Sequence, residues 1–180
     1  MTNQLQIKLL SENATMPTRA NSTDAGYDIY AAETKILEPQ QKAIIKTDLA
    51  VNIPKGYVGL LTSRSGVSSK THLVIETGKI DAGFQGNMKI NIKNDYISSN
   101  EYELAKISEA DGGIKYPVYG INNQLMHYLQ EYDDPTYQIN KGDKLAQLVI
   151  VPIWTPELEE VDEFDTQSAR GTNGFGSTGY

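Results

Sequence analysis

"MKINIK", residues 88 to 93, sets Met88, Ile90 and Ile92 against Lys89, Asn91 and Lys93 in strict alternation. Successive side chains of an extended chain point to opposite faces, so this stretch reads as a strand with one buried and one wet face. The same pattern continues outward from it. Leu5, Ile7 and Leu9 alternate in "LQIKLL" (5–10), Tyr57 opens "YVGLLTS" (57–63), and apolar residues from Leu145 onward fill "KLAQLVIVPIW" (144–154). Turn-forming clusters separate these runs: "DAGY" (24–27), "EPQQ" (38–41), "IPKGY" (53–57), "DAGFQGN" (81–87) and "NKGDK" (140–144). Many short strands punctuated in this way predict an all-β chain, an antiparallel sandwich or barrel in which a jelly roll is included.

At 180 residues the chain suits one domain with a real core. A net charge of −7 excludes a general binder of nucleic acid, and any polyanion must be held locally. The absence of cysteine rules out disulfides, thiolate metal sites and cysteine nucleophiles. No apolar run approaches the roughly 20 residues of a membrane span, and "MTNQLQIKLL" (1–10) lacks the pattern of a signal peptide. A cytoplasmic protein without a membrane partner is expected.

The β pattern fails between about residues 96 and 136. This stretch has seven acids against Lys106 and Lys115, carries −5 of the net −7, and holds six of the eleven tyrosines. It reads as an insertion into a β domain of residues 1–155. Within it, "INNQLMHYLQEY" (121–132) spaces Ile121, Leu125 and Leu129 four apart behind an asparagine and ahead of Pro135, which predicts a short helix. Residues 156–180 read as an acidic arm, "PELEEVDEFD" (156–165), followed by the tail "RGTNGFGSTGY" (170–180). Four glycines in that tail carry a large entropy cost on ordering, and composition alone fits a disordered terminus. A second reading is a segment that orders around a ligand: Arg170 supplies charge, Phe175 stacking, and Ser177 and Thr178 hydroxyls for phosphate oxygens.

Four further stretches could carry chemistry. "TSRSG" (62–66) gathers a guanidinium, hydroxyls and a glycine, donors suited to phosphate, although a solvated loop also fits. "TGKIDAGFQGN" (77–87) reads as strand, turn and strand in a hairpin, with Asp81 near its start and Phe84 between glycines that let a backbone approach a flat ligand. "DAGYDIY" (24–30) offers Asp24 and Asp28, either of which could cap a turn. "GDKLAQL" (142–148) places Gln147 in an apolar strand, where a buried amide needs a partner. His72 and His127, beside a strand and on the expected helix, are given structural roles only.

In order, Asp-Ala-Gly-Tyr-Asp, Arg-Ser-Gly, Gly-Lys-Ile-Asp-Ala-Gly-Phe-Gln-Gly, Gly-Asp-Lys-Leu-Ala-Gln-Leu and Arg-Gly-x-x-Gly-Phe-Gly-Ser-Thr-Gly resemble the five ordered motifs of the trimeric dUTPase family, from Asp24 to Gly179. The acid- and tyrosine-rich insertion before the fourth motif is similar to that of staphylococcal phage dUTPases. The resemblance implies a jelly-roll (β-clip) subunit with a swapped C-terminal arm, in a homotrimer whose three sites each draw motifs from several subunits. It implies hydrolysis of dUTP to dUMP and pyrophosphate. Asp81 would be the general base for in-line attack of water on the α-phosphorus, with Arg64 and Gln147 stabilising charge. Substrate would be held by Ser65, Gly66, Gly78, Ile80, Phe84, Met88, Arg170, Phe175, Gly176, Ser177 and Thr178. Backbone groups of Ile80 to Met88 would read uracil, and Phe175 would stack on it. The implied cofactor is Mg²⁺, held mainly by the triphosphate and reached through water by Asp28.

Phe84 departs from the family's usual tyrosine: the ring face is kept and one hydroxyl hydrogen bond is lost, with ribose exclusion expected to persist. The phage resemblance also implies a second role, binding a repressor protein of a pathogenicity island. Two alternatives stand beside the hydrolase: a regulatory binding protein that senses nucleotide, and a dCTP deaminase on the same fold.

Overall fold

The computed structural model describes residues 4–97, 107–108, 114–130, 135–169 and 171–172. Three sheets dominate them. The first runs in the order β1 (Gln6–Leu9), β4 (Lys42–Asn52), β8 (Met88–Asn94) and β6 (Leu73–Ile75). The second runs β2 (Gly26–Tyr30), β13 (Lys144–Pro152), β5 (Tyr57–Ser63) and β7 (Gly78–Ile80). The third runs β11 (Leu125–Leu129), β10 (Ile114–Tyr119), β12 (Thr136–Ile139) and β3 (Lys35–Leu37), with β9 (Ile107–Ser108) also paired to β10. Every pairing is antiparallel except β10 with β12. The all-β jelly-roll expectation holds.

The alternation in residues 88–93 has its physical cause in the core. Met88, Ile90 and Ile92 are fully buried, packed with Ile45, Leu49, Leu61, Tyr137 and Leu148, while Lys89 points to solvent. Buried side chains of this size are each worth about 1.5–3 kcal/mol, which fixes the register because a one-residue slip would turn every one of them to water. Asn94, buried at the end of β8, finds backbone partners. Asn94 donates from Nδ2 to the carbonyls of Leu37 (3.2 Å) and Pro135 (2.8 Å), tying the end of β8 to β3 and to the start of β12.

Two local expectations are overturned. Residues 121–129 are not helical: Asn123 takes a left-handed φ of 62°, Gly120 N donates to Gln124 O at 2.9 Å, and a tight turn leads into β11, which pairs back on β10. Asparagine tolerates that conformation, and its neighbour Asn122 accepts from Gln124 N in an Asx turn instead of capping a helix. Nor is the 77–87 unit a hairpin. Strand β7 pairs with β5 and β8 pairs with β4 and β6, so the seven residues between them cross from one sheet to another.

The strands of the insertion extend the sheet that contains β12 and β3, so it is continuous with the body. Beyond β13 no strand forms through residue 169, and the large apolar side chains of Trp154, Leu158 and Phe164 are 88%, 97% and 86% exposed. The only helix among the described residues is the single turn α1 (Ser65–Ser68).

Candidate active site

Strand β13 lies between β2 and β5, and this register brings distant residues together. Gln147 stands opposite Asp28 on one side and Thr62 on the other. Its amide donates to Ser63 O at 3.0 Å, which answers the need for a partner. A Cβ at Gly26 would stand 3.0 Å from Gln147 Oε1, so glycine there leaves room for the amide. The Asp28 carboxylate receives Arg64 Nε on Oδ1 at 2.7 Å and Lys144 Nζ on Oδ2 at 2.9 Å. Arg64 Nη1 also donates to Lys144 O at 3.0 Å. The hydrogen bond from Lys144 to Asp28, aided by their opposite charges, raises the lysine's pKa above 10.5. A bulge between Lys144 and Ala146 re-aims the strand here.

Lys144 is the functional candidate that sequence reading missed. Its side chain was in plain view within "GDKLAQL", but its role depends on the bulge. Asp24, by contrast, does cap a turn, accepting from Asn21 N at 2.9 Å. Arg64 starts α1, with its carbonyl accepting from Val67 and Ser68, and Ser65 is exposed. A Cβ at Gly66 would meet nothing within 4 Å, so the floor of this corner is open. Two cations, one carboxylate, an amide and hydroxyls form a corner able to receive an anion.

Asp81 follows β7 and opens the crossing turn. Its carbonyl accepts from Phe84 N at 3.1 Å, and Gly83 takes a φ of 91°. The Asp81 side chain is exposed. Phe84 is half-exposed and folds over Gly86 so closely that a Cβ there would lie 2.8 Å from Phe84 Cζ. Ile80 and Met88 are buried, so these two can offer a ligand only backbone groups; the Met88 carbonyl already accepts from Thr47 Oγ1. Gly78 opposes Leu61. Strand β7 is the edge of its sheet, bonded to β5 alone among the described strands, which leaves one row of backbone donors and acceptors outward.

A single chain keeps these two groups apart. Ile80 pairs with Gly59, so Asp81 falls beside Val58, six positions along β5 from Arg64. At about 3.3 Å per residue the separation is roughly 20 Å. Arg170, Phe175, Gly176, Ser177 and Thr178 lie outside the described residues. His72 packs edge-on to Tyr96 at 5.0 Å, in keeping with a structural role.

Among the described residues no three His, Cys, Asp or Glu side chains gather closely enough to hold a metal ion. Asp28 is the one carboxylate in the phosphate corner, and both of its oxygens carry a cation. A carboxylate has about four lone-pair sites, so it retains capacity for water but cannot anchor a metal alone.

A β-sheet scaffold with a paired-cation corner, an open strand edge and a separate carboxylate suits a protein that handles an anionic ligand. Comparison supplies the family: the dUTPase family model matches residues 12–103 and 111–179, and the chain belongs to the dUTPase family. The human mitochondrial deoxyuridine 5'-triphosphate nucleotidohydrolase is 32% identical over 176 residues, 98% of this chain and 55% of the human protein's length. A Y84F mutant dUTPase of Staphylococcus bacteriophage 80alpha, bound to dUpNHpp, is 58% identical over 99% of this chain and all of that one, with a TM-score of 0.86. It is described as controlling transfer of virulence genes by a G protein-like mechanism. A D95N mutant dUTPase from phage phi11 of S. aureus, described with a structural Mg(II) ion, is 62% identical over 91% of this chain and all of that one, with a TM-score of 0.77. The enzyme class is thereby dUTP hydrolysis, and the deaminase alternative loses its support. No helix among the described residues is long and apolar enough to cross a membrane.

Proposed function

We propose that this chain converts dUTP to dUMP and pyrophosphate in sites shared between copies of itself in a homotrimer, with Asp81 as the general base. The observation that carries this reading is the separation of roughly 20 Å along β5 between Asp81 and the Arg64 corner, at about 3.3 Å per residue. Neither an arginine nor an aspartate side chain can span that gap to the same phosphate within one chain. A second copy, presenting its Asp81 turn to the Arg64 corner of the first, completes the set. The exposed arm from Trp154 to Phe164 supports the same assembly, because large side chains exposed to this degree gain by burial against a neighbour.

In this reading the open edge of β7 and the following turn bind uracil through backbone groups, as a complementary strand would. Phe84 packs under the deoxyribose. The 80alpha relative with phenylalanine at position 84 was captured with dUpNHpp, which supports a site that binds its nucleotide without the tyrosine hydroxyl. Arg64, Ser65 and Gln147 hold phosphate oxygens, Gly66 leaves room for them, and the tail adds Arg170, Gly176, Ser177 and Thr178, with Phe175 over the base. Asp81 takes a proton from the attacking water, a role worth about 10²- to 10⁴-fold. Bound Mg²⁺ supplies charge neutralisation on the phosphate oxygens. Asp28 orients Arg64 and Lys144 and can bond a water of the metal's shell.

The test is pyrophosphate release from dUTP, dCTP, dTTP and UTP, with and without Mg²⁺. Turnover of dUTP alone, falling at least about 100-fold in Asp81→Asn, is expected. Hydrolysis untouched in Asp81→Asn would falsify the assignment. A second role, binding a repressor protein, draws on the function described for the 80alpha relative and on the strands of the insertion, where Leu125 and Met126 face solvent. Deleting residues 96–136 while retaining hydrolysis and losing repressor affinity is the expected result; unchanged affinity removes the insertion from that role.

A further inference from the structure

Because β7 and β8 belong to different sheets, the crossing turn of residues 81–87 lacks the ladder of a hairpin to hold its shape. It is held instead by side chains reaching from β4. Thr47 Oγ1 donates to Met88 O at 2.5 Å, Asn87 Nδ2 donates to Asp48 Oδ1 at 2.8 Å, and Gln85 Nε2 donates to Asn52 Oδ1 at 3.1 Å. Asp48 is the centre of this set. Its other oxygen accepts from Ser11 Oγ at 2.6 Å, and its carbonyl accepts from Leu10 N at 2.8 Å.

Two features mark Asp48 as more than a passive contact. Its φ is 51°, in the left-handed region that glycine occupies freely and aspartate at a cost, at the irregularity between Lys46 and Leu49 where β4 and β8 lose register. A side chain kept at such a position against backbone preference points to a task for that side chain. The second feature is Asn87. Its Oδ1 is buried without a partner among the described residues, so the bond from Nδ2 to Asp48 is what fixes the orientation of the amide. The hydrogen bonds from Ser11 and Asn87 keep the Asp48 carboxyl below its usual pKa, so the charge-assisted form prevails at neutral pH.

We propose that Asp48 is a positioning residue for base recognition, which anchors the crossing turn through Asn87 and so holds the Phe84 ring and the outward backbone groups in place. This rests on the dUTP-hydrolysing site proposed above. Asp81 is less dependent on the anchor, because it directly follows β7 and its ladder to β5.

Asp48→Gly isolates the side chain, since glycine takes the same φ without strain. In this variant the backbone amides of residues 82–87 are expected to exchange hydrogen about tenfold faster, the loss of one hydrogen bond to a charged group. The KM for dUTP rises about tenfold while kcat stays within about twofold, and discrimination against dCTP falls. Asp48→Asn, which tolerates the same backbone and still accepts from Asn87, recovers both readouts. Asn87→Ala removes the bond from the other side and behaves as Asp48→Gly, which keeps the test open should that variant misfold. Unchanged exchange in residues 82–87 overturns the anchor. Faster exchange with unchanged KM overturns its part in recognition. A wild-type protein inert towards dUTP would defeat the hydrolase reading alone, because the exchange measurement needs no turnover.

Discussion

Two inactive chains should repair each other. Asp81→Asn removes the proposed base but leaves the Arg64 corner intact; Arg64→Met removes the guanidinium but leaves the Asp81 turn intact. With the two groups roughly 20 Å apart in one chain at about 3.3 Å per residue, the proposed site takes Asp81 from one copy and Arg64 from another. Refolding an equal mixture assembles chains at random. A site is whole only when its Asp81 comes from the arginine variant and its Arg64 from the aspartate variant, so about a quarter of the sites recover in a symmetric oligomer. Asp81→Asn alone retains about 1% or less of wild-type turnover, so restoration to about a quarter stands far above that background. Pyrophosphate release is measured on the mixture, with differently tagged chains to verify that mixed oligomers formed. Mixed oligomers with no more activity than their parents would place both groups of each site in one chain, and the shared-site reasoning would fail.

Other substitutions probe the corner and the turn. Asp28→Asn gives up the charge on which Arg64 rests, costing about 2 kcal/mol and roughly 4–8 °C in Tm for a chain of this length. Because Asp28 raises the pKa of Lys144, that lysine's stabilising share is complete below pH 10.5 and is lost as pH rises through its folded value; melts at pH 9 and at strongly alkaline pH should show the gap between wild type and variant narrowing. Asp143 is held above its usual pKa of 3.8 by burial, so its ionisation works against folding as pH rises. Asp143→Asn keeps the acceptor for Asn140 N and should equal or exceed the wild-type Tm at pH 7, an advantage that disappears below about pH 4. Gly86→Ala puts a Cβ 2.8 Å from Phe84 Cζ and must displace the ring; a loss of about tenfold or more in kcat/KM for dUTP, with weaker rejection of UTP, is the expected outcome of parallel turnover assays.

What could be read from the sequence divides along a physical line. Alternation is local, so strands such as β8 and β13 announce themselves, and the glycine-rich motifs announce the family. Partner choice is not local. Gly78–Ile80 and Met88–Asn94 flank a turn short enough for a hairpin, yet each pairs in a different sheet. The expected helix at 121–132 failed for a simpler reason: a spacing of four is even, so Leu125 and Leu129 satisfy a strand's period of two as well as a helix's 3.6, while Ile121 falls in the turn before β11. Asp48 was invisible because nothing in "KTDLA" (46–50) reveals that its third residue has a positive φ. Lys144 was visible but silent, since its reach to Asp28 depends on a bulge that only the paired strands define.

The charge of the corner explains why so much else must converge on it. Arg64 and Lys144 against Asp28 leave a net +1, which is stable in the empty chain because each cation already has a carboxylate oxygen. A nucleoside triphosphate brings about −4, and neutralisation of charge on the phosphate oxygens is the main work in phosphoryl chemistry. The corner alone would meet this substrate with far too little positive charge, in a protein whose net charge is −7. In the proposed site, a divalent cation carried by the triphosphate and Arg170 of the tail would make up the difference. On that proposal the full positive charge would exist only when a polyanion is present to receive it. Such an order of assembly would spare the free protein a cluster of unpaired cations, and would give the glycine-rich tail a reason to be basic at its start.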